Sequence, residues 1–204
     1  PKSAQDRIVE LDKNANFFSF NYTSTLEDIY GIDKDKVLHI HNTAFYRYDE
    51  IILGHGVDPE KFKEDKIPQE GLTLEEEKKW WEEENAKWDY PYDKGKEIIY
   101  RYFDRSFKPT QNIIEENKEF FENLSSLKNI FVFGHSFANV DLPYFREIVK
   151  NTIPDVKWTV SYYSVANKES FPKILQKLGI DKRNITMVRL EELQLKNKQL
   201  ELKL

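Results

Sequence analysis

The chain has 204 residues, 39% of them hydrophobic and 14% aromatic, which suffices for one large domain or two small ones around a buried core. It contains no run of roughly 18 apolar residues and does not begin with a signal-peptide pattern, so we expect a cytoplasmic protein with no membrane partner. The absence of cysteine excludes disulfides and thiolate chemistry, and the net charge of −5 argues against nonspecific nucleic-acid binding.

Residues 1–56 are predicted to form the first part of a Rossmann-like α/β domain. Short aromatic or β-branched runs predict strands over 17–20, 37–41 and 51–53. Between the first two strands, apolar residues at helical spacing predict a helix over 25–30, which the following glycine ends. This order predicts a strand–helix–strand unit followed by a third strand.

Residues 57–127 are predicted to form a helical insertion. A capping box of Thr73 and Glu76 predicts an acidic helix, and apolar residues at helical spacing predict a second helix after Pro109. The acidic helix is predicted to carry three tryptophans: Trp80, Trp81 and Trp88. The last two are seven residues apart and would share a helical face, which favours burial of their rings over a role as anchors for a partner protein.

Residues 128–204 are predicted to form the second part of the Rossmann-like domain. Strands and helices alternate here, with strands over 129–133, 156–162 and 185–188 and helices over about 141–151 and 168–178. Asp141 is predicted to cap the first of these helices and Gly179 to end the second. Such alternation predicts a mostly parallel sheet with helices on both faces, and ligands beyond the carboxyl ends of its strands.

All four histidines lie at or just after predicted strands: His39, His41, His55 and His135. The carboxyl ends of parallel strands meet at one edge of a sheet, so this placement predicts a shared site. Alternation places His39 and His41 on the same face of their strand, where both imidazoles would line one pocket. Each could instead be a core histidine with satisfied hydrogen bonds, and the residue pattern leaves both interpretations open.

Two turns at strand ends carry polar side chains suited to a nucleotide. Asn21, directly after the first strand, offers a donor and an acceptor to a ribose hydroxyl or a water, although the local sequence favours a role for Asn21 or Thr23 in capping the next helix. Gly134 lets a ligand approach the backbone, and Ser136 supplies a hydroxyl. The alternative at this second turn is a plain strand-to-helix connection capped by Asp141. No Walker or GxGxxG motif occurs in the sequence.

Four ordered motifs lie between residues 17 and 148: Phe20-Asn21-Tyr22-Thr23-Ser24-Thr25-Leu26-Glu27, His39-Ile40-His41, Ile51-Ile52-Leu53-Gly54-His55-Gly56, and Phe131-Val132-Phe133-Gly134-His135-Ser136. Together they resemble the bacteriophage abortive infection family AbiH. That family looks distantly similar to sirtuin-like domains, whose Rossmann-type fold binds NAD. The resemblance implies a phage-defence protein with a nucleotide ligand.

The same resemblance implies roles for individual residues. Asn21 would orient a ribose or the attacking water, and His41 would act as general base or ribose anchor in hydrolysis of the nicotinamide–ribose bond of NAD. The remaining candidates would contact the cofactor: Tyr22, Thr23, Gly54, His55, Gly134, His135, Ser136 and Asp141. No residue is assigned to a metal.

Members of the family begin with a strand and a turn of the kind Gly-Asn-Gly-Phe-Asp, which would hold a pyrophosphate at a helix N-terminus. The sequence lacks such a segment, as expected if Pro1 begins a fragment that carries only part of its cofactor site.

Two other functions stay open at this point. The histidines and Asp141 could assemble the metal site of a phosphohydrolase, although no spacing specifies one. The tryptophan-bearing insertion could instead capture a phage or host protein that triggers defence, without any catalysis. The chain could also oligomerise.

Overall fold

The computed structural model describes residues 8–44, 50–62 and 67–193. The chain divides into two compact units. The first unit comprises residues 1–52 and 109–204, and the second unit comprises residues 53–108. Each unit is described by itself below. Among the described helices, none combines the length and the apolar composition that a membrane span requires.

The described residues form five strands and seven α-helices, named in chain order. The strands are β1 (Phe17–Ser19), β2 (Val37–His39), β3 (Asn129–Val132), β4 (Lys157–Tyr162) and β5 (Ile185–Arg189). The helices are α1 (Thr25–Asp28), α2 (Leu74–Ala86), α3 (Tyr90–Arg105), α4 (Thr110–Glu116), α5 (Lys118–Glu122), α6 (Leu142–Asn151) and α7 (Val165–Lys177).

The first unit contains two small parallel sheets. One sheet pairs β1 with β2, with Phe18 opposite Leu38, and the other has the order β3-β4-β5, with Trp158 opposite Ile130 on one side and Ile185 on the other. Helices connect the parallel strands, because a parallel pair cannot be joined by a tight turn. The mixed α/β class with parallel strands is therefore confirmed, whereas one continuous Rossmann-like sheet stays a prediction.

A single apolar cluster forms the core of the first unit. Its largest fully buried side chains include Trp158 on β4, Tyr144 on α6, Phe121 on α5 and Leu175 on α7. Helices α4 and α5 contribute to this core because their apolar residues recur on one face, and Ile113 is 3% exposed. The second unit, residues 53–108, therefore covers a shorter stretch of the sequence than the predicted insertion of residues 57–127.

The second unit is built mainly from α2 and α3. The predicted capping box is present at the start of α2: the Thr73 hydroxyl accepts from the Glu76 amide, and the Glu76 carboxylate accepts from the Thr73 amide at 2.9 Å. Asp89 caps α3 in a similar way by accepting from the backbone amide of Tyr92 at 3.2 Å. Trp88 lies in the short connection between these two helices.

Two sequence-based expectations about the tryptophans are wrong. Helix α2 ends at Ala86, so Trp88 does not share a helical face with Trp81. Both rings are exposed rather than buried, Trp81 by 41% and Trp88 by 63%. The helix stops because the backbone amides of Lys87 and Trp88 turn back to carbonyls only three residues away, those of Glu84 and Asn85.

The predicted strand over residues 51–53 is also wrong. This segment is irregular, although the Ile52 amide donates to the His41 carbonyl at 3.1 Å. A ladder needs several such bonds along both edges of a strand. The Ile52 carbonyl instead accepts from the Tyr22 hydroxyl at 3.1 Å, so a side chain occupies the acceptor that a neighbouring strand would use.

Candidate functional site

A buried polar cluster lies at the carboxyl ends of β2 and β3 and at the start of α6. We name its four residues, His41, His135, Asp141 and Tyr144, the His–Asp cluster. His41 follows β2 and is 2% exposed, and His135 lies in the turn after β3. Asp141 and Tyr144 come from the start of α6. Segments distant in sequence thus meet here, as the positions of the histidines predicted for His41 and His135.

Asp141 faces both imidazoles. One carboxylate oxygen, Oδ1, lies 3.9 Å from His41 Nε2, and the other, Oδ2, lies 3.5 Å from His135 Nε2. Asp141 stands at the N-cap position of α6, but its side chain makes no capping hydrogen bond. Asp141 is thus the N-cap residue of α6, as predicted, but its carboxylate turns toward the two histidines instead of making the capping bond.

The turn after β3 determines the tautomer of His135. The backbone amide of Phe137 donates to His135 Nδ1 at 2.9 Å, so Nδ1 acts as an acceptor without a proton. The proton of the neutral ring is therefore on Nε2, the nitrogen that faces Asp141. Phe137 adopts a φ of 55°, a strained conformation for a residue with a side chain, and it is buried in the core.

Aromatic rings surround the two imidazoles. The Phe20 ring centroid lies 4.4 Å from that of His135 and 5.7 Å from that of His41, and it stacks on Phe145 at 5.6 Å. Tyr144 approaches His41 edge-on at 5.6 Å. These contacts hold both histidines in an apolar setting, where electrostatic interactions with Asp141 are stronger than in water.

The two tyrosines near the cluster differ in their hydrogen bonding. Tyr22 donates to the Ile52 carbonyl, whereas the fully buried hydroxyl of Tyr144 has no hydrogen-bond partner among the described residues. Burial raises the pKa of the Tyr144 hydroxyl above its ordinary value, and the charge of Asp141 adds to the rise. The same two causes, in the same order, raise the pKa of Tyr22.

The turn at Gly134 is open on its outer side. Gly134 adopts a φ of 66°, and a Cβ added there would meet no atom within 4 Å. Its backbone amide donates to the Ser161 hydroxyl at 2.9 Å, which ties the turn to β4. Ser136, in the segment between β3 and α6, is exposed. The outer side of this turn is therefore open, and its predicted contact with a ligand stays a prediction.

Asn21 and Thr23 lie on the exposed segment between β1 and α1. The N-cap position of α1 is Ser24, which makes no side-chain capping bond, so neither predicted cap is used. The Thr23 hydroxyl lies 2.8 Å from that of Thr25. The Asn21 amide donates to the Ser19 hydroxyl at 3.2 Å, which turns the chain out of β1 and leaves the residue exposed.

The hydrogen-bond contacts of His39 are with residues outside the His–Asp cluster, contrary to the prediction that His39 and His41 line one pocket. β2 ends at His39, and the chain then turns, with the Asn42 amide donating to the His39 carbonyl. His39 contacts Glu27 at 2.8 Å and the Asn21 carbonyl at 3.2 Å. Strand alternation no longer applies beyond the end of β2, so the two imidazoles reach different neighbours.

Glu27 is a partly buried acidic residue, with its side chain 12% exposed, to which the sequence pattern assigns no role. It is part of the motif that begins at Phe20, and that membership is the only signal in the sequence that singles it out. Its contact with His39 spans 12 residues and joins α1 to β2, so no local spacing predicts it.

Gly54 and His55 belong to the second unit. The His55 ring lies with Nε2 3.1 Å from the Phe103 carbonyl, and its Nδ1 accepts from the Val57 amide at 3.3 Å. A Cβ on Gly54 would lie 1.9 Å from the Ser106 carbonyl oxygen, so close backbone approach requires a glycine there. Their predicted role as cofactor contacts stays a prediction.

No group of three or more histidine, aspartate or glutamate side chains within residues 8–44, 50–62 and 67–193 is arranged to hold a metal ion. The His–Asp cluster comprises two imidazoles, one carboxylate and one phenol, and the Tyr22 ring lies 6.1 Å from that of His41.

Fold and site together define an α/β protein with parallel strands and a buried His–Asp cluster at the strand ends. The family model for bacteriophage abortive infection AbiH matches residues 2–162, and the chain belongs to that family. No curated protein and no solved structure gave a significant match. The match includes every residue of the His–Asp cluster, and the family resemblance predicted from the motifs is confirmed.

Proposed function

We propose that this protein acts in abortive infection as a cytoplasmic, nucleotide-binding effector that hydrolyses the nicotinamide–ribose bond of NAD at the His–Asp cluster. Membership in the AbiH family supports the defence role. The observation that carries the site is the position of Asp141 between two imidazoles contributed by different strand ends. A Rossmann-like arrangement of the strands is part of the same proposal.

The residues present are compatible with a polar ligand. The buried Tyr144 hydroxyl lacks a hydrogen-bond partner among the described residues, and such a group normally finds one. The open turn at Gly134 and the exposed Ser136 precede a helix N-terminus, where backbone amides and the helix dipole favour a phosphate. Tyr22, Thr23 and the cluster residues would line the rest of the site.

NAD supplies a good leaving group: water adds to the ribose C1′ carbon, the bond from C1′ to the nicotinamide nitrogen breaks, and its electron pair stays on that nitrogen. Asn21 is exposed just after the end of β1, and in this proposal its carboxamide orients the ribose or the water. His41 takes the proton that the water loses, and Asp141 stabilises the imidazolium that results. His135 presents its Nε2 proton to the same carboxylate and keeps Asp141 in place.

The test combines nicotinamide release with phage protection. We expect the wild-type protein to release nicotinamide from NAD, and Asn21→Ala and His41→Gln to lose both release and protection. Asn123→Ala, at an exposed asparagine outside the site, is the matched control and should keep both. Thermal unfolding of each variant separates loss of chemistry from loss of fold, which matters for the buried His41.

Two results would overturn this proposal. If the folded His41→Gln variant still protects against phage, the catalytic role of His41 is wrong. If the wild-type protein neither binds NAD nor releases nicotinamide, NAD is excluded as its ligand and substrate. The defence role then rests on family membership alone.

One observation favours a second, noncatalytic role for the second unit. Its aromatic side chains are largely exposed, including Trp81, Trp88, Tyr90, Tyr92 and Tyr102. Exposed aromatic residues on a charged background are typical anchors for a protein partner, here a phage or host protein that triggers defence. A Trp80→Ala/Trp81→Ala variant that keeps nicotinamide release but loses protection would support this role, and unchanged protection would contradict it.

A further inference from the structure

One face of α3 in the second unit is uncovered. Four exposed residues recur along it at helical spacing: Pro91, Gly95, Ile98 and Tyr102. Ile98 is 58% exposed and Tyr102 is 67% exposed, and both line an open hollow together with Arg101, Arg105 and Ser106. A helix in a folded protein is stabilised mainly by the packing of its apolar face. We therefore expect a partner on this face of α3.

The charges on this face are positive. The charged residues that line the hollow are both arginines, Arg101 and Arg105. At about 100° per residue, Lys94 falls on the same edge of the helix as these arginines, and the acidic residues of α3 fall outside the face. Glu97 is one of these acidic residues, and it pairs with Lys94 and Arg101 along the helix. The face thus combines an apolar centre with a basic edge.

Gly95 marks the middle of this face. It lies inside α3, although glycine is a poor helix former. A Cβ added there would meet no described atom within 4 Å, so packing within the described part of the chain does not require a glycine. The distance between two packed helices depends on the size of the side chains at their contact. A glycine at this position therefore allows close approach of another helix.

Helix α2 has the complementary properties. Its six glutamates and two lysines give it a net charge of −4, whereas α3, with four basic and three acidic residues, has a net charge of +1. Leu74 and Trp81 are seven residues apart, share a helical face and are both exposed. Glu75 and Glu82 have the same spacing and are exposed beside that face. The lengths also match, since 13 and 16 residues correspond to helices of about 20 and 24 Å.

We propose that two copies of this chain form a two-fold dimer in which α2 of each copy packs on the exposed face of α3 of the other. Within one copy, α2 leaves Ile98 and Tyr102 exposed, so it does not cover this face itself. A two-fold axis makes the contact twice, which doubles the charge complementarity. The inference goes beyond the proposed activity and beyond capture of a phage or host protein.

Trp81 is the proposed anchor of the contact. Its ring is 41% exposed, and it would enter the partner's hollow between Tyr102 and the arginines. Tryptophan, tyrosine and arginine are the residue types that dominate interface energies, and a guanidinium group stacks favourably on an indole ring. Glu75 and Glu82 would lie toward the basic edge of the partner's α3.

The first experiment measures the mass of the wild-type protein by sedimentation equilibrium. We expect a monomer–dimer equilibrium with a dissociation constant below about 0.1 mM. Wild-type protein that stays monomeric up to about 0.1 mM would overturn the proposal, and the exposed face would then belong to a partner of another kind.

Two charge-reversal variants then locate the contact. Arg101→Glu/Arg105→Glu makes the edge of α3 acidic, and Glu75→Lys/Glu82→Lys makes α2 more basic. Like charges then oppose each other in either homodimer, so each variant should dimerise at least about tenfold more weakly than the wild type. Lys173→Glu/Lys177→Glu reverses two exposed charges at the same spacing on α7 of the first unit and should dimerise as the wild type does. A wild-type dissociation constant in either second-unit variant would overturn the proposal.

An equimolar mixture of the two second-unit variants gives the sharpest test. Opposite charges meet at both contacts of a heterodimer, so the mixture should form a species with the mass of two chains, at least about tenfold more tightly than either variant alone. This rescue would also show that both variants are folded. A mixture that stays monomeric, or that forms larger species, would contradict the reciprocal contact.

A neutral variant keeps the proposal testable if a charge reversal disturbs the helix. Tyr102→Ala changes no charge and removes an exposed ring from the hollow, so we expect folding to be retained and dimerisation to weaken at least about tenfold. Circular dichroism checks the helix content. Unchanged dimerisation of folded Tyr102→Ala would place the dimer contact elsewhere and overturn the proposal.

Discussion

The two compact units use their apolar side chains in opposite ways. Every buried hydrophobic residue of the described chain lies in the first unit, where Trp158, Tyr144 and Phe121 are at most 1% exposed. In the described part of the second unit no hydrophobic side chain is buried, and large ones such as Trp88 and Tyr102 are more than 60% exposed. The same residue types thus form a core in one unit and a surface in the other.

The first unit therefore supplies most of the stabilising apolar burial, whereas the second unit supplies an aromatic surface for a partner. Burial of rings in the first unit offsets the entropy of ordering its chain and holds the His–Asp cluster in place. The second unit relies on caps and on ion pairs within its helices, such as Lys94 with Glu97, which are worth little in water. Its exposed rings are available for a partner protein.

The largest expected effect comes from removing one tryptophan from each unit. Trp158→Ala should lower the free energy of unfolding by about 3–5 kcal/mol, because it empties a fully buried site. Trp88→Ala should change it by no more than about 0.5 kcal/mol, since that ring is 63% exposed. Urea unfolding measures both values. Similar values for the two variants would contradict the contrast between the units.

A pair of glycine substitutions compares backbone constraints in the two units. Gly54→Ala places a Cβ 1.9 Å from the Ser106 carbonyl oxygen and should disrupt the backbone hydrogen bonds that His55 makes with Ser106 and Lys108, at a cost of about 1–3 kcal/mol. Gly134→Ala meets open space and should cost about 1–2 kcal/mol through its φ of 66° alone.

Hydrogen exchange locates these effects. Gly54→Ala should speed exchange of the amides of residues 55 and 108, which donate to the carbonyls of Ser106 and His55 within the second unit. Gly134→Ala should leave those amides unchanged and speed exchange near β3. Faster exchange in the second unit for both variants would show that the two units do not respond separately.

Alkaline pH provides a smaller, graded test of the site. The pKa of Tyr144 is raised in the folded protein, so the unfolded state loses its proton first, and stability falls as pH rises above about 10. The slope from this residue is at most about 1.4 kcal/mol for each pH unit. Tyr144→Phe should flatten the decline above pH 10, whereas Tyr102→Phe, at an exposed tyrosine of α3, should not. Unfolding free energies between pH 8 and 11 supply the measurement, and identical slopes would contradict the burial of the hydroxyl.

The smallest effect is expected at an exposed ion pair on the surface of the first unit. Hydrogen bonds from the Arg183 side chain and backbone lower the pKa of Asp181 to about 2. Because the folded pKa is depressed, any stabilisation is present above the ordinary pKa of 3.8 and is lost as pH falls toward 2. Carboxyl NMR titration should show a midpoint near 2 that rises in Arg183→Gln. An unchanged midpoint in the variant would assign the shift to another group.

Much of the local structure was predictable because its causes lie within a few residues. The capping box at Thr73 appears as expected, and α7 ends just before Gly179, which adopts a φ of 100°. The five observed strands coincide with predicted ones to within two residues at either end. β-branched and aromatic runs bounded by turn residues identify such strands without knowledge of their neighbours.

The site was predictable in part. The placement of His41 and His135 at strand ends indicated that they would meet, and the geometry around Asp141 bears this out. The contact between Glu27 and His39 was not predictable, since it joins residues 12 apart whose spacing matches no helix or strand period. The irregular course of residues 51–53 was missed because an apolar run predicts a strand whether or not a neighbour is there to pair with it.

The sequence by itself determined the α/β class, the positions of the five strands, and the family to which the chain belongs. These properties follow from short-range patterns and from motifs that can be read in order. Only the tertiary structure decided which partner each polar side chain takes. Asp141 faces two imidazoles rather than capping α6, and Trp88 is exposed beyond the end of α2. A polar side chain can bond to its own local backbone or to a residue distant in sequence. Which of the two it contacts depends on how the distant segments pack.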